Sequence, residues 1–258
     1  MIRELDSVTV PIGCRARDID DPAEIYHEAS RYYPRSLGLP MGGLALGSVL
    51  PGGASGPNAF RHVDLPEPSK PDVSLAAALN SRRSLRPGGR TITLATISTL
   101  LHAAYGVTDR QNPEHRRRAV PSAGGLYPLD WYFAGSGVDR VPTGLYHYDS
   151  LAHRLEVVRA GNVCSIVGSS VLTAGLATDA TATFIATASF ERSRRKYGLR
   201  AYRFVLMEAG HSMQNLLLMA SCLGLHVTPV GGFLDGVLDD LLGIDGVEEA
   251  TLYVAVVG

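Results

Sequence analysis

The sequence of 258 residues predicts a layered α/β or α+β domain in which short strands are interleaved with long helices. Apolar runs bounded by turn residues predict four strands, over 129–134, 182–188, 226–230 and 250–257. The stretch 202–225 predicts a long buried helix between the second and third of these strands. Residues 144–148 and 154–158 alternate in polarity as the two strands of a hairpin do.

The N-terminal part of the chain differs in composition from the rest. Residues 23–33 have helical character, and Pro34 ends the predicted helix. The segment 38–72 is rich in Gly and Pro, and a connection of that length without a regular element is uncommon inside a domain. We interpret it as an arm over the domain surface. The chain then divides into residues 1–72, an N-terminal helix and Gly/Pro-rich arm, and residues 73–258, the main domain.

Two helices have recognisable starting residues. Asp72 or Ser74 is expected to cap a short helix over 75–79, which runs on into a basic segment. Thr93 is expected to cap a longer helix that ends at Tyr105, because a glycine follows.

Composition excludes several classes of function. The net charge of -1, from 24 Lys+Arg and 25 Asp+Glu, gives no overall field that would attract nucleic acid or an anionic membrane. The 3 cysteines are far apart and lack metal-ligand spacing, which predicts a reduced, cytoplasmic protein without a metal site. The acidic N-terminus is unlike a signal peptide, and no stretch reaches the roughly 20 apolar residues that a membrane span needs.

A cluster of three guanidinium groups and a hydroxyl follows the short helix: Arg82, Arg83, Ser84 and Arg86. Guanidinium groups present planar forks of donors suited to phosphate, so the cluster is a candidate anion site. A solvated basic helix end, whose cations interact favourably with the helix dipole, is the alternative. Both interpretations stay open on these residues alone.

Two glycine-rich turns are candidates for close backbone contact with a flat ligand. They lie at residues 121–125 and 228–233, and each contains paired glycines. A glycine has no Cβ, so the backbone can approach a flavin ring closely. An ordinary turn is the alternative for the first of them.

Two further sets of polar residues are candidates for chemistry or assembly. Lys196 and Tyr197 are both competent in proton transfer, although a Lys-Tyr pair in a basic loop is also typical of a solvated surface. Glu208, His211 and Asn215 are spaced to share one helix face, which could line a cofactor pocket or form hydrogen bonds across a dimer interface. We expect the interface role for these three.

Taken in order, these motifs resemble the nitroreductase superfamily, and within it the SagB-type branch of azoline dehydrogenases that act on thiazole/oxazole-modified peptides. The motifs that carry the resemblance are the cluster 82–86, the turn 121–128, the run 196–216 and residues 231–243. The resemblance covers residues 74–258, and residues 26–30 are similar to the start of the same family.

The resemblance implies an α+β nitroreductase-like fold with a central mixed sheet flanked by helices, and a homodimer with FMN at the subunit interface. Residues 73–258 would form this FMN-binding domain. By motif match, the residues expected to contact FMN are Arg82, Arg83, Ser84 and Arg86 at the phosphate and ribityl chain, Pro121, Ser122, Ala123 and Gly124 near the flavin, and Gly231 and Gly232 at the ring edge. Many nitroreductases have basic residues after the last strand that close on the phosphate. This chain stops at Gly258, so Arg200 and Arg203 are the expected substitutes.

The Lys-Tyr pair that marks azoline dehydrogenases maps onto Lys196 and Tyr197, which predicts that Lys196, helped by Tyr197, serves as or positions the general base. The implied reaction is oxidation of peptide thiazolines or oxazolines to azoles, with dioxygen reoxidising FMN and no nicotinamide cofactor required. The expected partners are an azoline-containing peptide and a cyclodehydratase complex. Two alternatives are an NAD(P)H-dependent nitro or quinone reductase, because the fold hosts both chemistries, and a non-catalytic scaffold subunit.

Overall fold

A seven-stranded antiparallel sheet forms the centre of the protein. The computed structural model describes residues 20–34, 62–109, 117–136, 138–173, 175–176 and 180–258. Its strands are β1 (His62–Asp64), β2 (Leu129–Gly135), β3 (Gly144–Asp149), β4 (Arg154–Ala160), β5 (Ala182–Ser189), β6 (Val227–Val230) and β7 (Glu249–Val257). They lie in the order β1-β4-β3-β2-β5-β7-β6, so β2 and β5 are central and β6 is an edge strand.

Helices cover both faces of this sheet. The helices in the described ranges are α1 (Pro22–Ala29), α2 (Leu75–Ser81), α3 (Leu94–Tyr105), α4 (Cys164–Ser170), α5 (Phe190–Tyr197), α6 (Ala201–Cys222) and α7 (Asp235–Leu242). Apolar side chains of α3 and α6 form one core with one face of the sheet, and those of α4 and α7 form a second core with the other face.

Strand β2 separates these two cores, because successive side chains of a strand point to opposite faces. Trp131 and Phe133 belong to the core under α3 and α6, whereas Tyr132 and Ala134 belong to the core under α4 and α7. The indole Nε1 of Trp131 donates a hydrogen bond of 2.9 Å to the hydroxyl of Ser212 on α6. This bond fixes the long helix to the centre of the sheet.

The predicted α+β fold, with a central sheet flanked by helices, is confirmed. The sheet differs in one detail from the expected mixed arrangement, because all six pairings between the described strands are antiparallel.

Local signals in the sequence located some helix ends well and others less well. Helices α2 and α3 begin after Ser74 and Thr93, whose side chains accept hydrogen bonds of 3.2 Å from the backbone N–H three residues later. Helix α1 ends at Ala29, shorter than the predicted 23–33. The basic loop expected around Lys196 is instead the helix α5.

The segment 38–72 was expected to contain no regular element, and this expectation is wrong for its C-terminal part. Strand β1 lies within it and pairs with β4, where Val63 faces Leu155. This pairing makes residues 62–64 part of the sheet rather than of a surface arm. Residues 38–61 lie outside the described residues.

Candidate active site

The glycine turn that precedes β2 has a backbone that glycine makes possible. Residues 123–125 form a short 3-10 turn, in which Gly124 has φ of 63° and Gly125 has φ of 65°. Two consecutive residues in this left-handed region are strained for any residue with a Cβ, whereas glycine adopts it without a steric cost. The turn lies at the surface, with Gly124 exposed.

Lys196 and Tyr197, at the end of α5, meet this turn. A Cβ added to Gly124 would lie 2.6 Å from the hydroxyl oxygen of Tyr197 and 2.7 Å from Nζ of Lys196. Two predicted site segments, 72 residues apart in sequence, are therefore in contact in space. Helix α5 ends directly after the pair, where Gly198 has φ of 56°.

The two side chains of the pair have different surroundings. The ring of Tyr197 is half-buried and packs edge-on against Phe204, with 5.1 Å between the ring centroids. Lys196 is exposed, and its Nζ lies 5.4 Å from the centroid of the Tyr197 ring. The pair thus combines a solvent-exposed amine with a phenol ring held by an aromatic contact.

The buried carboxyl of Glu208 forms hydrogen bonds that support the glycine turn. Glu208 on α6 accepts a hydrogen bond of 2.6 Å from the Tyr105 hydroxyl and forms another with the side chain of Ser122. The hydroxyl oxygen of Ser122 in turn accepts a 2.9 Å hydrogen bond from the backbone N–H of Tyr127. Burial raises the pKa of Glu208, although these hydrogen bonds oppose the shift. This network fixes the orientation of the Ser122 side chain.

The stripe predicted on α6 has mainly an internal role. Glu208 is bound within the chain as described, and Nδ2 of Asn215 donates a 3.0 Å hydrogen bond to the backbone carbonyl of Ala119. Both residues hold the segment that leads into the glycine turn. His211 is exposed on the same helix. Glu208 and Asn215 both bond to their own chain, and the expected interface role of the stripe stays a prediction.

The arginine cluster lies along the edge strand β6. The N–H of Leu85 donates a 3.0 Å hydrogen bond to the carbonyl of Val227, and the Thr228 hydroxyl donates one of 2.9 Å to the carbonyl of Leu85. Strand β6 leads directly into Gly231 and Gly232, so the structure brings residues 82–86 to the same sheet edge as this glycine pair.

Groups suited to phosphate and to a flat ring lie at this edge. Ser84 and Arg86 are exposed and Arg82 is half-buried. Nη1 of Arg83 donates hydrogen bonds of 2.8 Å to the carbonyls of Asn80 and Arg82. Gly231 is exposed, and a Cβ added there would meet no atom within 4 Å. Cationic donors beside an open glycine fit a ligand that combines a phosphate with a planar ring system.

The two groups of predicted site residues lie at opposite ends of α6. Near its start, Glu208 contacts Ser122 of the glycine turn; near its end, the Ser221 hydroxyl lies 2.9 Å from that of Ser81, next to the arginine cluster. Residues 208 and 221 are separated by about 20 Å along a helix that rises ~1.5 Å per residue. Arg200 and Arg203 are exposed at the start of α6, which is the end of the helix nearer to the glycine turn. The two groups therefore contact α6 at positions about 20 Å apart along its axis.

Two negative findings concern the described ranges. No group of three or more His, Cys, Asp or Glu side chains within them is arranged to hold a metal ion. None of the helices in the same ranges combines the length and the apolar character that crossing a bilayer requires.

The chain belongs to the Nitroreductase family, whose model matches residues 79–258. Proteins of this family are flavin oxidoreductases, and the chain is assigned to that class. It is 36% identical over 178 residues to a protein of Methanocaldococcus jannaschii that is described as a nitroreductase, covering 69% of this chain and 88% of the relative.

Two other relatives are named for peptide processing. The trifolitoxin-processing protein TfxB of Rhizobium leguminosarum bv. trifolii is 31% identical over 64% of this chain, which spans 47% of that protein. The microcin B17-processing protein McbC of Escherichia coli is 29% identical over 72% of this chain and 71% of its own. The resemblance to the peptide-processing branch, stated from sequence motifs, is thereby confirmed.

A solved structure supports the fold. A chain of the Escherichia coli microcin synthetase McbBCD complex, solved with truncated pro-MccB17 bound, matches with a TM-score of 0.65 at 24% identity. The match covers 91% of this chain and 90% of that one. It extends the likeness beyond the family match, into the N-terminal part of the chain.

Proposed function

We propose that the protein is an FMN-dependent azoline dehydrogenase that oxidises thiazoline or oxazoline rings in a peptide to the aromatic azoles. The observation that carries this proposal is that Lys196 Nζ and Tyr197 Oη both lie beside Gly124, within 2.7 Å of the position that a Cβ on this glycine would occupy. A proton-transfer pair at the end of one helix thus faces a turn suited to close contact with a flat cofactor. The peptide-processing relatives support the same substrate class.

FMN fits the residues beside the C-terminal end of α6. Arg82, Ser84 and Arg86 would hold the phosphate and ribityl chain, and the exposed Gly231 leaves room for the ring edge. When bound, FMN supplies the hydride acceptor that azoline oxidation requires.

In this proposal a protein side chain, and not the cofactor, accepts the proton. Conversion of an azoline to an azole removes one proton from the α-carbon and one hydride from the neighbouring ring carbon. Lys196 would take the proton at Nζ or position the group that does, and Tyr197 would orient the amine through its nearby hydroxyl. The exposure of Lys196 suits a ring that arrives on a peptide rather than as a small molecule.

The proposed active unit is a homodimer with FMN between the subunits. In one chain the glycine turn and the arginine cluster contact α6 near residues 208 and 221, about 20 Å apart along the helix axis, and an FMN shared between two subunits would bring both sets to one ligand. One protomer would therefore provide residues 82–86, 231 and 232, and its partner would provide residues 121–124, 196 and 197. Arg200 and Arg203 lie near the second set and would reach the phosphate from that side.

The proposal is tested with Lys196→Ala and Tyr197→Phe. An azoline-bearing peptide is incubated with the FMN-loaded protein, and loss of one hydrogen pair per ring is followed by mass spectrometry. Both variants should keep bound flavin, and Lys196→Ala should lose azole formation. Azoline oxidation at the parent rate in flavin-containing Lys196→Ala would show the catalytic assignment to be wrong.

A second candidate is an NAD(P)H-dependent nitro or quinone reductase. The relative of Methanocaldococcus jannaschii that is described as a nitroreductase favours it. Rapid bleaching of the bound flavin by NADPH, with turnover of a nitroarene and none of an azoline peptide, would identify this activity.

We also propose that the protein works beside a cyclodehydratase, which would supply the azoline ring. The match to a chain of the McbBCD synthetase complex supports this partner. Omission of the protein from a reconstituted mixture should then stop azole formation without affecting azoline formation. The same result would exclude a scaffold role, because a scaffold would be needed for the azoline as well.

A further inference from the structure

Helix α5 carries a second cationic side chain, Arg192, on the face that bears Lys196. Arg192 precedes Lys196 by four residues, so the two side chains lie on the same side of the helix. Both face the segment 124–130, which contains the glycine turn and the start of β2. Arg192 and Lys196 therefore contact neighbouring parts of one segment.

The guanidinium of Arg192 joins α5 to this segment at two points. Nη2 lies 2.7 Å from Oδ2 of Asp130 on β2, and Nη1 donates a 3.4 Å hydrogen bond to the backbone carbonyl of Tyr127. Tyr127 is three residues after Gly124 and closes the turn through its hydrogen bond to Ser122. One side chain thus ties the helix of the dyad to the turn that the dyad faces.

Asp130 is a fixed partner for this contact. The Asp130 side chain is mostly buried, and its Oδ1 lies 3.5 Å from Nε2 of His147 on the neighbouring strand β3. Burial alone would raise the pKa of Asp130, but His147 and Arg192 outweigh it and leave the pKa below its usual value. The carboxylate stays charged and in place.

The opposite face of α5 has its own attachment. Arg194 pairs with Asp21 and, at 2.7 Å, with Oε1 of Glu24, both at the N-terminal end of α1. These pairs keep α5 attached to the protein when Arg192 is replaced. The two attachments therefore have separable roles, one towards α1 and one towards the turn.

We propose that Arg192 is the positioning residue of the Lys196–Tyr197 dyad: by binding Asp130 and the Tyr127 carbonyl, it holds Nζ of Lys196 over Gly124. This inference rests on the proposed function for its catalytic consequence, but its structural part stands without it. Arg192 touches no reacting atom, and it acts through the position of Lys196.

The test uses three variants of the full chain. Arg192→Met removes both contacts and keeps much of the aliphatic stem, and Arg192→Lys keeps a cation for Asp130. Arg195→Met is the matched control, because the Arg195 side chain is 78% exposed and pairs at 3.0 Å with Glu191 of the same helix. All three are first compared by thermal unfolding and flavin content.

The direct readout is the reactivity of the Lys196 amine. The sequence contains just two lysines, Lys70 and Lys196, and both are exposed. Lys70 is therefore an internal reference in every molecule. Trace acylation with an amine-specific ester, followed by peptide mass spectrometry, gives the ratio of labelling at Lys196 to labelling at Lys70.

We expect this ratio to change by at least about twofold in Arg192→Met and to stay at the parent value in Arg195→Met. On an azoline peptide, kcat should fall at least about tenfold in Arg192→Met with KM nearly unchanged, since a misplacement of about 1 Å can cost ~100-fold in rate. Arg192→Lys should recover part of kcat.

A parental labelling ratio and parental kcat in folded Arg192→Met would overturn the inference. If the parent itself does not oxidise azolines, the proposed function fails, and the labelling ratio alone still decides whether Arg192 positions Lys196.

Discussion

Replacing Gly124 with alanine should separate activity from stability. The new Cβ would lie 2.6 Å from the Tyr197 hydroxyl and 2.7 Å from Lys196 Nζ, whereas ordinary contact begins at 3.4 Å. Both polar atoms must therefore withdraw by about 1 Å, a displacement that can cost up to ~100-fold in rate. Both atoms are at the ends of side chains, so they can move without unfolding the protein.

Gly125→Ala is the matched control for this substitution. Gly125 has φ of 65°, against 63° for Gly124, but a Cβ at Gly125 would meet nothing within 4 Å. Each variant should lose about 1 kcal/mol from the left-handed backbone of alanine, a fall in Tm of roughly 2–4 °C for a chain near this size. Only Gly124→Ala should also lose azoline oxidation.

The assay is the initial rate of azole formation on an azoline peptide, with Tm measured on the same samples. Azole formation at the parent rate in Gly124→Ala would contradict this prediction, because the new Cβ would then leave the dyad undisturbed. An equal loss of rate in both would point to the turn backbone instead of to Lys196 and Tyr197.

Three further predictions concern assembly, the buried network and pH. Arg86→Ala and Lys196→Ala chains, each inactive alone, should regain about a quarter of the parent activity when they are mixed and allowed to exchange subunits. Half of the dimers would then contain one mutant chain of each kind, and one of the two sites in each such dimer would be intact. No recovery of activity would contradict a site built from two chains. Glu208→Ala should lower the free energy of unfolding by about 1–3 kcal/mol in urea titrations, because the Tyr105 hydroxyl loses its acceptor, and Glu208→Gln should lose less. Burial lowers the pKa of His147, but its two carboxylate neighbours raise it above 6.5 overall. The stability from protonated His147 should therefore be complete below pH 6.5 and decline as pH rises through the folded-state pKa; an equal slope in His147→Gln would contradict this.

The elements that the sequence predicted well are those determined by neighbouring residues. Ser74 and Thr93 bond to backbone N–H groups three residues away, so the starts of α2 and α3 are visible in the sequence. Helix α5 was missed because its arginine-rich sequence has few apolar positions. Its stability depends on Arg192 and Arg194, whose partners are distant in the chain.

The candidate site was predictable in its members but not in its geometry. Family motifs pointed to Gly124, Lys196 and Tyr197, but only folding brings the end of α5 onto the turn before β2. The polar stripe on α6 was recognised as one face, yet its partners were not. Whether Glu208 faces a partner subunit or its own Tyr105 depends on how α6 packs against α3.

The most direct test of the proposed function is an anaerobic titration of the FMN-loaded protein with an azoline-bearing peptide, followed by flavin absorbance. We expect the peptide to bleach the flavin and to become lighter by one hydrogen pair per ring. Lys196→Ala should keep its flavin but stay yellow. A flavin that the azoline peptide leaves unbleached, but that NADPH reduces rapidly, would contradict the proposed function.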